Sequence, residues 1–177
     1  MAPSPFASDR RLAVVVMGVS GSGKSTIAAG IAQLLSLDWV DGDELHSPAS
    51  VAKMKAGIAL DDADRWPWLD RIAARLADAA RFPAGLVATC SALKRSYRDR
   101  LRRGAPGVRF VFLDGPAAVI ASRLAARQGH FMPSTLLASQ LQTLELPGPD
   151  EDDVVHADIE QPAASLIRQV ARALRNP

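Results

Sequence analysis

Leu12 to Met17 (LAVVVM) is an unbroken apolar run with Val at three of its six positions. A run that short and that rich in β-branched side chains predicts a strand covered on both faces. The same reading applies to Gly85 to Cys90 (GLVATC) and Val108 to Leu113 (VRFVFL), and more weakly to Leu37 to Asp41 (LDWVD) and Asp153 to Asp158. Between these runs the period changes to that of a helix. From Asp64 to Arg81, Trp68, Leu69, Ile72, Leu76 and Ala79 recur on one helical face. Further helices are predicted over Ser25–Leu35, Ser96–Arg103, Pro116–Arg127, Ser134–Leu144 and Pro162–Leu174. Gly104 and Pro106 stop the second of these, and Pro116 suits the first turn of the third. Ser47 to Leu60 reads as short helical pieces broken at Gly57. Strands alternating with helices imply an α/β fold: a five-stranded parallel sheet flanked by helices and joined by right-handed crossovers. Residues 1–10 read as a disordered lead and residues 11–177 as a single domain.

In such sheets ligands bind beyond the carboxyl ends of the strands, and the polar residues concentrate there. Gly18 to Ser25 (GVSGSGKS), after the first strand and before the first helix, matches G-x-x-x-x-G-K-[S/T] in the context that gives the motif its meaning. Glycines let backbone N–H groups converge on phosphate oxygens, and the helix N-terminus adds positive potential. Gly18, Ser20, Gly21, Ser22 and Gly23 thus form a nucleotide cradle. Lys24 is placed for the β- and γ-phosphates, Ser25 for Mg²⁺ and Thr26 for the α-phosphate. After the second strand, Asp41 and Asp43 stand two residues apart beside that cradle. Asp41 is expected to support Mg²⁺ with Ser25, and Asp43 to orient or deprotonate an acceptor hydroxyl. Arg123 and Arg127, four apart on one helix, precede the bendable Gly129. A mobile lid over about residues 123–135 is expected to close on ATP, exclude water and bring these arginines to the transferring group.

Composition narrows the function classes. A chain of 177 residues that is 48% hydrophobic can bury a real core, and a net charge of +2 argues against nucleic acid as partner. No apolar run approaches the ~20 residues of a membrane span, and the first residues lack the order of a signal peptide. The single cysteine, Cys90, rules out an internal disulfide, fits a cytoplasmic location and reads as strand packing. Trp68 also reads as core; Trp66 stays open between packing and ligand stacking.

The sequence resembles the gluconate kinase (gluconokinase) family of P-loop small-molecule kinases, close to shikimate and adenylate kinases. The resemblance runs from Leu12 to Pro162. It rests on MGVSGSGKS (Met17 to Ser25), DGDELH (Asp41 to His46), KM (Lys53-Met54), Asp62 to Leu69, CSALK (Cys90 to Lys94) continuing to Arg102, SRL through GHFM (Ser122 to Met132), Gln140 to Pro147 and Asp158 to Pro162. It departs from the family pattern at Asp61, where Asn is usual, and at Ala59, where Pro is common. The resemblance implies phosphoryl transfer from ATP, with Mg²⁺, to D-gluconate, and a possible homodimer. It implies Lys24, Asp43 and Arg127 as the catalytic set. A sugar acid needs cations at one end and hydrogen-bonding groups along the rest. His46, Lys53, Arg65, Ser91, Lys94 and His130 are the candidates, with Arg65 as the carboxylate grip. For His46 a structural hydrogen bond competes with a substrate contact. Asp158 to Pro162 is where the family is expected to hold the adenine. Two other readings stand beside this one: a related kinase for another sugar acid, and a nucleotide-binding regulator without turnover.

Overall fold

In the computed structural model, which describes residues 11–78, 84–126 and 134–175, the run Leu12–Met17 is the central strand β1. It pairs in parallel with β3 (Gly85–Cys90) on one side and β4 (Arg109–Asp114) on the other. The short β2 (Asp38–Val40) and β5 (Val154–Asp158) form the edges, giving the order β2-β3-β1-β4-β5 with every pairing parallel. Val14, Val15 and Val16 are fully buried, as are Val87, Ala88, Phe110 and Val111 on the neighbouring strands. A continuous apolar strand has no polar face to give to water, so helices must cover both sides of it.

Those helices are α1 (Lys24–Leu35), α2 (Pro48–Lys55), α3 (Asp62–Ala77), α4 (Arg95–Gly104), α5 (Ala117–Ala125), α6 (Ser134–Thr143) and α7 (Ala163–Arg175). α1 packs on α7 and α3 on α4. Gly30 permits the first contact, because a Cβ there would lie 2.2 Å from Ile167. Each predicted strand and helix has its counterpart, most with ends within a residue or two; the expected helix ends at Arg81 and Arg127 lie outside the described residues. After β2 the chain makes a 3₁₀ turn over Gly42–Leu45, capped by the Asp41 side chain. Helix α3 starts two residues earlier than its apolar period suggests. Asp61 caps it, its side chain accepting from Asp64 N while the Asp64 side chain accepts from Asp61 N. Asp serves as well as Asn in such a capping box, so the departure at Asp61 preserves the local geometry.

The basic helix α4 hides one of its charges. Arg98 makes a bidentate ion pair with Glu151 (2.7 Å to each oxygen), and both side chains are almost fully buried. Arg98 also donates to the backbone oxygen of Glu145 (3.0 Å), and Arg102 adds a contact to Glu151 (2.8 Å). Arg98 holds the Glu151 carboxyl down at about 2. The cluster fastens the segment between α6 and β5 to α4, behind the carboxyl end of β3. Among the described residues no helix is long and apolar enough to cross a membrane.

Candidate active site

The phosphate loop leaves β1 at Gly18 and enters α1 at Lys24. Gly23, the residue before the helix, sits at φ +99°, in the left-handed region that an L side chain rarely adopts. Gly18 is held against the end of β4, where a Cβ would lie 3.0 Å from the Leu113 carbonyl oxygen. Lys24 curls over the loop and donates from Nζ to the Val19 carbonyl (3.1 Å). Ser22 is buried, and its hydroxyl has no hydrogen-bond partner among the described residues.

Asp41 is the hub between this loop and β3. Its Oδ2 accepts from Ser25 Oγ (3.2 Å), and its Oδ1 accepts from Thr89 Oγ1 (2.8 Å) and Asp43 N (3.1 Å). Thr89 Oγ1 in turn accepts from Gly42 N (2.9 Å). These bonds fix the backbone that carries Asp43, while the Asp43 side chain itself stays 78% exposed. Asp41 and Ser25 offer a carboxylate and a hydroxyl, the hard oxygen donors that suit Mg²⁺. That ion needs only one or two protein oxygens when phosphates and waters complete its shell.

On the other side of Asp43 lies α3. Arg65 is buried, donates from Nε to the Leu60 carbonyl (3.2 Å) and places NH1 3.5 Å from Ser91 Oγ. Among the described residues it pairs with no carboxylate, which leaves a desolvated guanidinium fork facing the site. Lys53 and Lys94 are arranged differently. Lys53 Nζ contacts both Asp64 oxygens (2.8 and 2.7 Å), and Lys94 Nζ both Asp62 oxygens (2.8 and 3.1 Å). Tyr97 also donates its hydroxyl to Asp62. The two lysines tie α2 and the β3–α4 loop to the first turn of α3, and neither lines the cavity beside Arg65. The signal for this was present in the sequence as Asp62 and Asp64 just ahead of Arg65, one carboxylate for each lysine.

His46 packs flat on the buried Trp68 (ring centroids 4.2 Å apart, planes 13° apart), and Trp68 Nε1–H donates to the Gly42 carbonyl (2.7 Å). His46 Nε2 lies 3.9 Å from Asp43 Oδ1, and its buried Nδ1 has no partner among the described residues. Burial holds the imidazole below its ordinary proton affinity, against the opposing pull of Asp43. The fold therefore disfavours the protonated imidazole relative to water. The contribution of His46 to stability is complete above the unfolded value of 6.5 and is lost as pH falls from there through the lowered folded value. His46→Gln is expected to flatten the loss of stability as pH falls below 6.5, read as urea midpoints. Parallel pH curves for the two proteins would exclude His46 as the source.

Two cavities open from these residues. The larger, of about 440 Å³, is lined by the loop from Ser20 to Ile27, by Asp41 and Thr89, and by Arg123, Ile159 and Gln161 across it. Thr26 borders it, as does part of the Asp158–Pro162 segment. The smaller, of about 90 Å³, is lined on its polar side by Asp43, His46, Arg65, Ser91 and Gln140, and on its apolar side by Met54, Ile58, Leu60 and Leu136. Three residues line both: Ser20, Lys24 and Asp43. Arg123 spans the far rim of the larger cavity, donating from NH2 to the Ile159 carbonyl (2.6 Å). Arg127 and His130, and most of the expected lid, lie outside the described residues.

Thr89 and Gln140 belong to this site and had no role assigned from the sequence. Thr89 sits inside an apolar strand, where a single hydroxyl gives little signal. Gln140 lies on a helix with no acidic or basic residue in its first or last turn. Trp66 packs edge-on against Tyr97 (5.3 Å) beneath Arg100 and does not border either cavity. Cys90 is buried and its thiol is pushed up to about 12, which fits a packing residue.

The chain resembles known proteins along most of its length. The AAA domain family matches residues 14–147. The thermosensitive gluconokinase of Escherichia coli is 45% identical over 165 residues, covering 90% of this chain and 86% of that protein. The gluconokinase of Gluconobacter oxydans is 51% identical over 138 residues, covering 78% of each. The crystal structure of a gluconokinase from Sinorhizobium meliloti superposes with a TM-score of 0.84 at 50% identity, covering 93% of both chains. With this extent of identity on a sheet and phosphate loop of the expected form, the chain belongs to the gluconokinase family.

Proposed function

We propose that the protein transfers the γ-phosphoryl group of ATP to D-gluconate, giving 6-phospho-D-gluconate and ADP. The observation that carries this reading is the junction of the two cavities at Ser20, Lys24 and Asp43. A donor cavity walled by a phosphate loop and an acceptor cavity walled by a guanidinium share one carboxylate and one ammonium. In the transfer, Asp43 accepts the proton of the acceptor hydroxyl as its oxygen bonds to the γ-phosphorus. The bond from that phosphorus to the bridging oxygen breaks, and ADP leaves with the electron pair. Lys24 offsets charge on the phosphate oxygens, and the loop amides hold them in line. Ser25 and Asp41 would hold Mg²⁺, which supplies further charge neutralisation when bound.

Arg65 accounts for the choice of an acid as acceptor. It is the buried cation of the smaller cavity, and Ser91 beside it can take a hydroxyl or a carboxylate oxygen. His46 also lines that cavity and offers ring nitrogens to a hydroxyl. The test is coupled ADP release with Mg-ATP across a panel of sugar acids and the matching uncharged sugars. Gluconate is expected to stimulate release most strongly; absence of stimulation would reject the reading. Arg65→Ala is expected to raise KM for gluconate by about tenfold or more, the worth of a charge-assisted fork, with KM for ATP little changed. An unchanged gluconate KM would move the carboxylate site elsewhere.

A further inference from the structure

We propose that Gln140 is a positioning residue for phosphoryl transfer, clamping the phosphate loop at the one residue besides Lys24 and Asp43 that both cavities share. The clamp is a reciprocal pair of hydrogen bonds reaching 120 residues along the chain. Ser20 N donates to Gln140 Oε1 (2.7 Å), and Gln140 Nε2 donates to Ser20 Oγ (3.1 Å). The backbone N–H of Ser20 fixes which way the carboxamide faces, because a flipped amide would set two donors against each other. Leucine or methionine could fill the space but make neither bond.

The location gives the clamp its consequence. Ser20 lies between Gly18 and Gly21, both at positive φ, in a stretch of loop with no strand or helix ladder of its own. Its amide is therefore held by a side chain. That side chain comes from α6, the helix that also contributes Leu136, Ser139 and Thr143 to the acceptor cavity. One helix thus walls the acceptor and fixes the donor loop at the point where the two meet. A displacement of about 1 Å between reacting groups can cost about a hundredfold in rate, and Gln140 is the contact that sets this relative position.

This role rests on the kinase reading above, so it is tested by two measurements, one of which needs no acceptor. In Gln140→Met, kcat for gluconate-dependent ADP release is expected to fall about 10- to 100-fold. KM for ATP should stay within about threefold, since Gln140 does not border the donor cavity, and any rise in KM for gluconate, whose cavity it borders, should be smaller than the fall in kcat. Amide hydrogen exchange in the peptide spanning residues 18–24 is expected to accelerate at least tenfold without any ligand, because Ser20 N–H loses its acceptor. Gln140→Glu keeps an acceptor for that N–H and is expected to restore slow exchange. A Gln140→Met enzyme with kcat within twofold of the parent would overturn the proposal. So would a loss shared equally by kcat, both KM values and melting temperature, which is the signature of general destabilisation. If the parent protein released no ADP with gluconate, the activity would fall, and the clamp would stand or fall on exchange alone.

Discussion

Lys24→Ala is expected to lower kcat/KM for ATP by about 10³-fold, equivalent to about 4 kcal/mol of transition-state stabilisation. The side chain enters α1 immediately after a glycine in the left-handed region, so the backbone turn delivers the ammonium above the loop. There it borders both cavities. Phosphoryl transfer spreads negative charge over oxygens that water would otherwise solvate, and a fixed cation replaces that solvation without reorganising during the step. The loss should appear in kcat as well as in ATP affinity, because the charge being offset moves from donor to acceptor past Lys24. Steady-state kinetics with varied Mg-ATP at saturating gluconate separates the two. The melting temperature of the variant, measured alongside, separates loss of catalysis from loss of the Val19 carbonyl contact. Near-parental kcat/KM would remove Lys24 from the reaction.

The donor half of the site could be read directly from the sequence, and the acceptor half only in part. A phosphate loop is local: its glycines, lysine and serine are contiguous, and the strand and helix that hold it have clear periods. Asp41 and Asp43 were legible for the same reason, although their turn is a 3₁₀ turn created by Asp41 capping Asp43 N. The acceptor cavity is assembled from α2, α3, the β3–α4 loop and α6, which meet only through tertiary packing. Charge type alone could not say which of three cations would face the ligand. Lys53 and Lys94 meet carboxylates from the first turn of α3, whereas Arg65, one helical turn on, points inward past them. Gln140 was hidden more deeply, since an uncharged amide on a weakly patterned helix has a role only once Ser20 is seen beside it.

On the proposed function, this division of cations would let a small cavity bind an acid without carrying excess positive charge. Lys53 and Lys94 are neutralised in pairs and act as struts, so they orient the start of α3. Arg65 remains as the buried charge available to a carboxylate, opposite Asp43. On the proposed function, an acceptor with an anionic end and a hydroxyl end would meet Arg65 at one end and Asp43 at the other, which would fix its direction.

Asp43→Asn is expected to reduce kcat by about 10² to 10⁴-fold, the range for loss of a positioned general base, while ATP binding persists. The substitution keeps size and the backbone N–H that Asp41 accepts from, so the turn and Ser25–Asp41 contact should survive. What is lost is the acceptor for the hydroxyl proton at the one carboxylate bordering both cavities. Asp41 cannot substitute, since its oxygens are already engaged by Ser25, Thr89 and Asp43 N, and it borders the donor cavity alone. Calorimetric titration with a non-hydrolysable ATP analogue should give an affinity close to the parent's, and turnover with gluconate should be close to background. A variant that binds the analogue and still turns over within a few-fold of the parent would mean that the hydroxyl loses its proton to another group, and Asp43 would then only orient the acceptor.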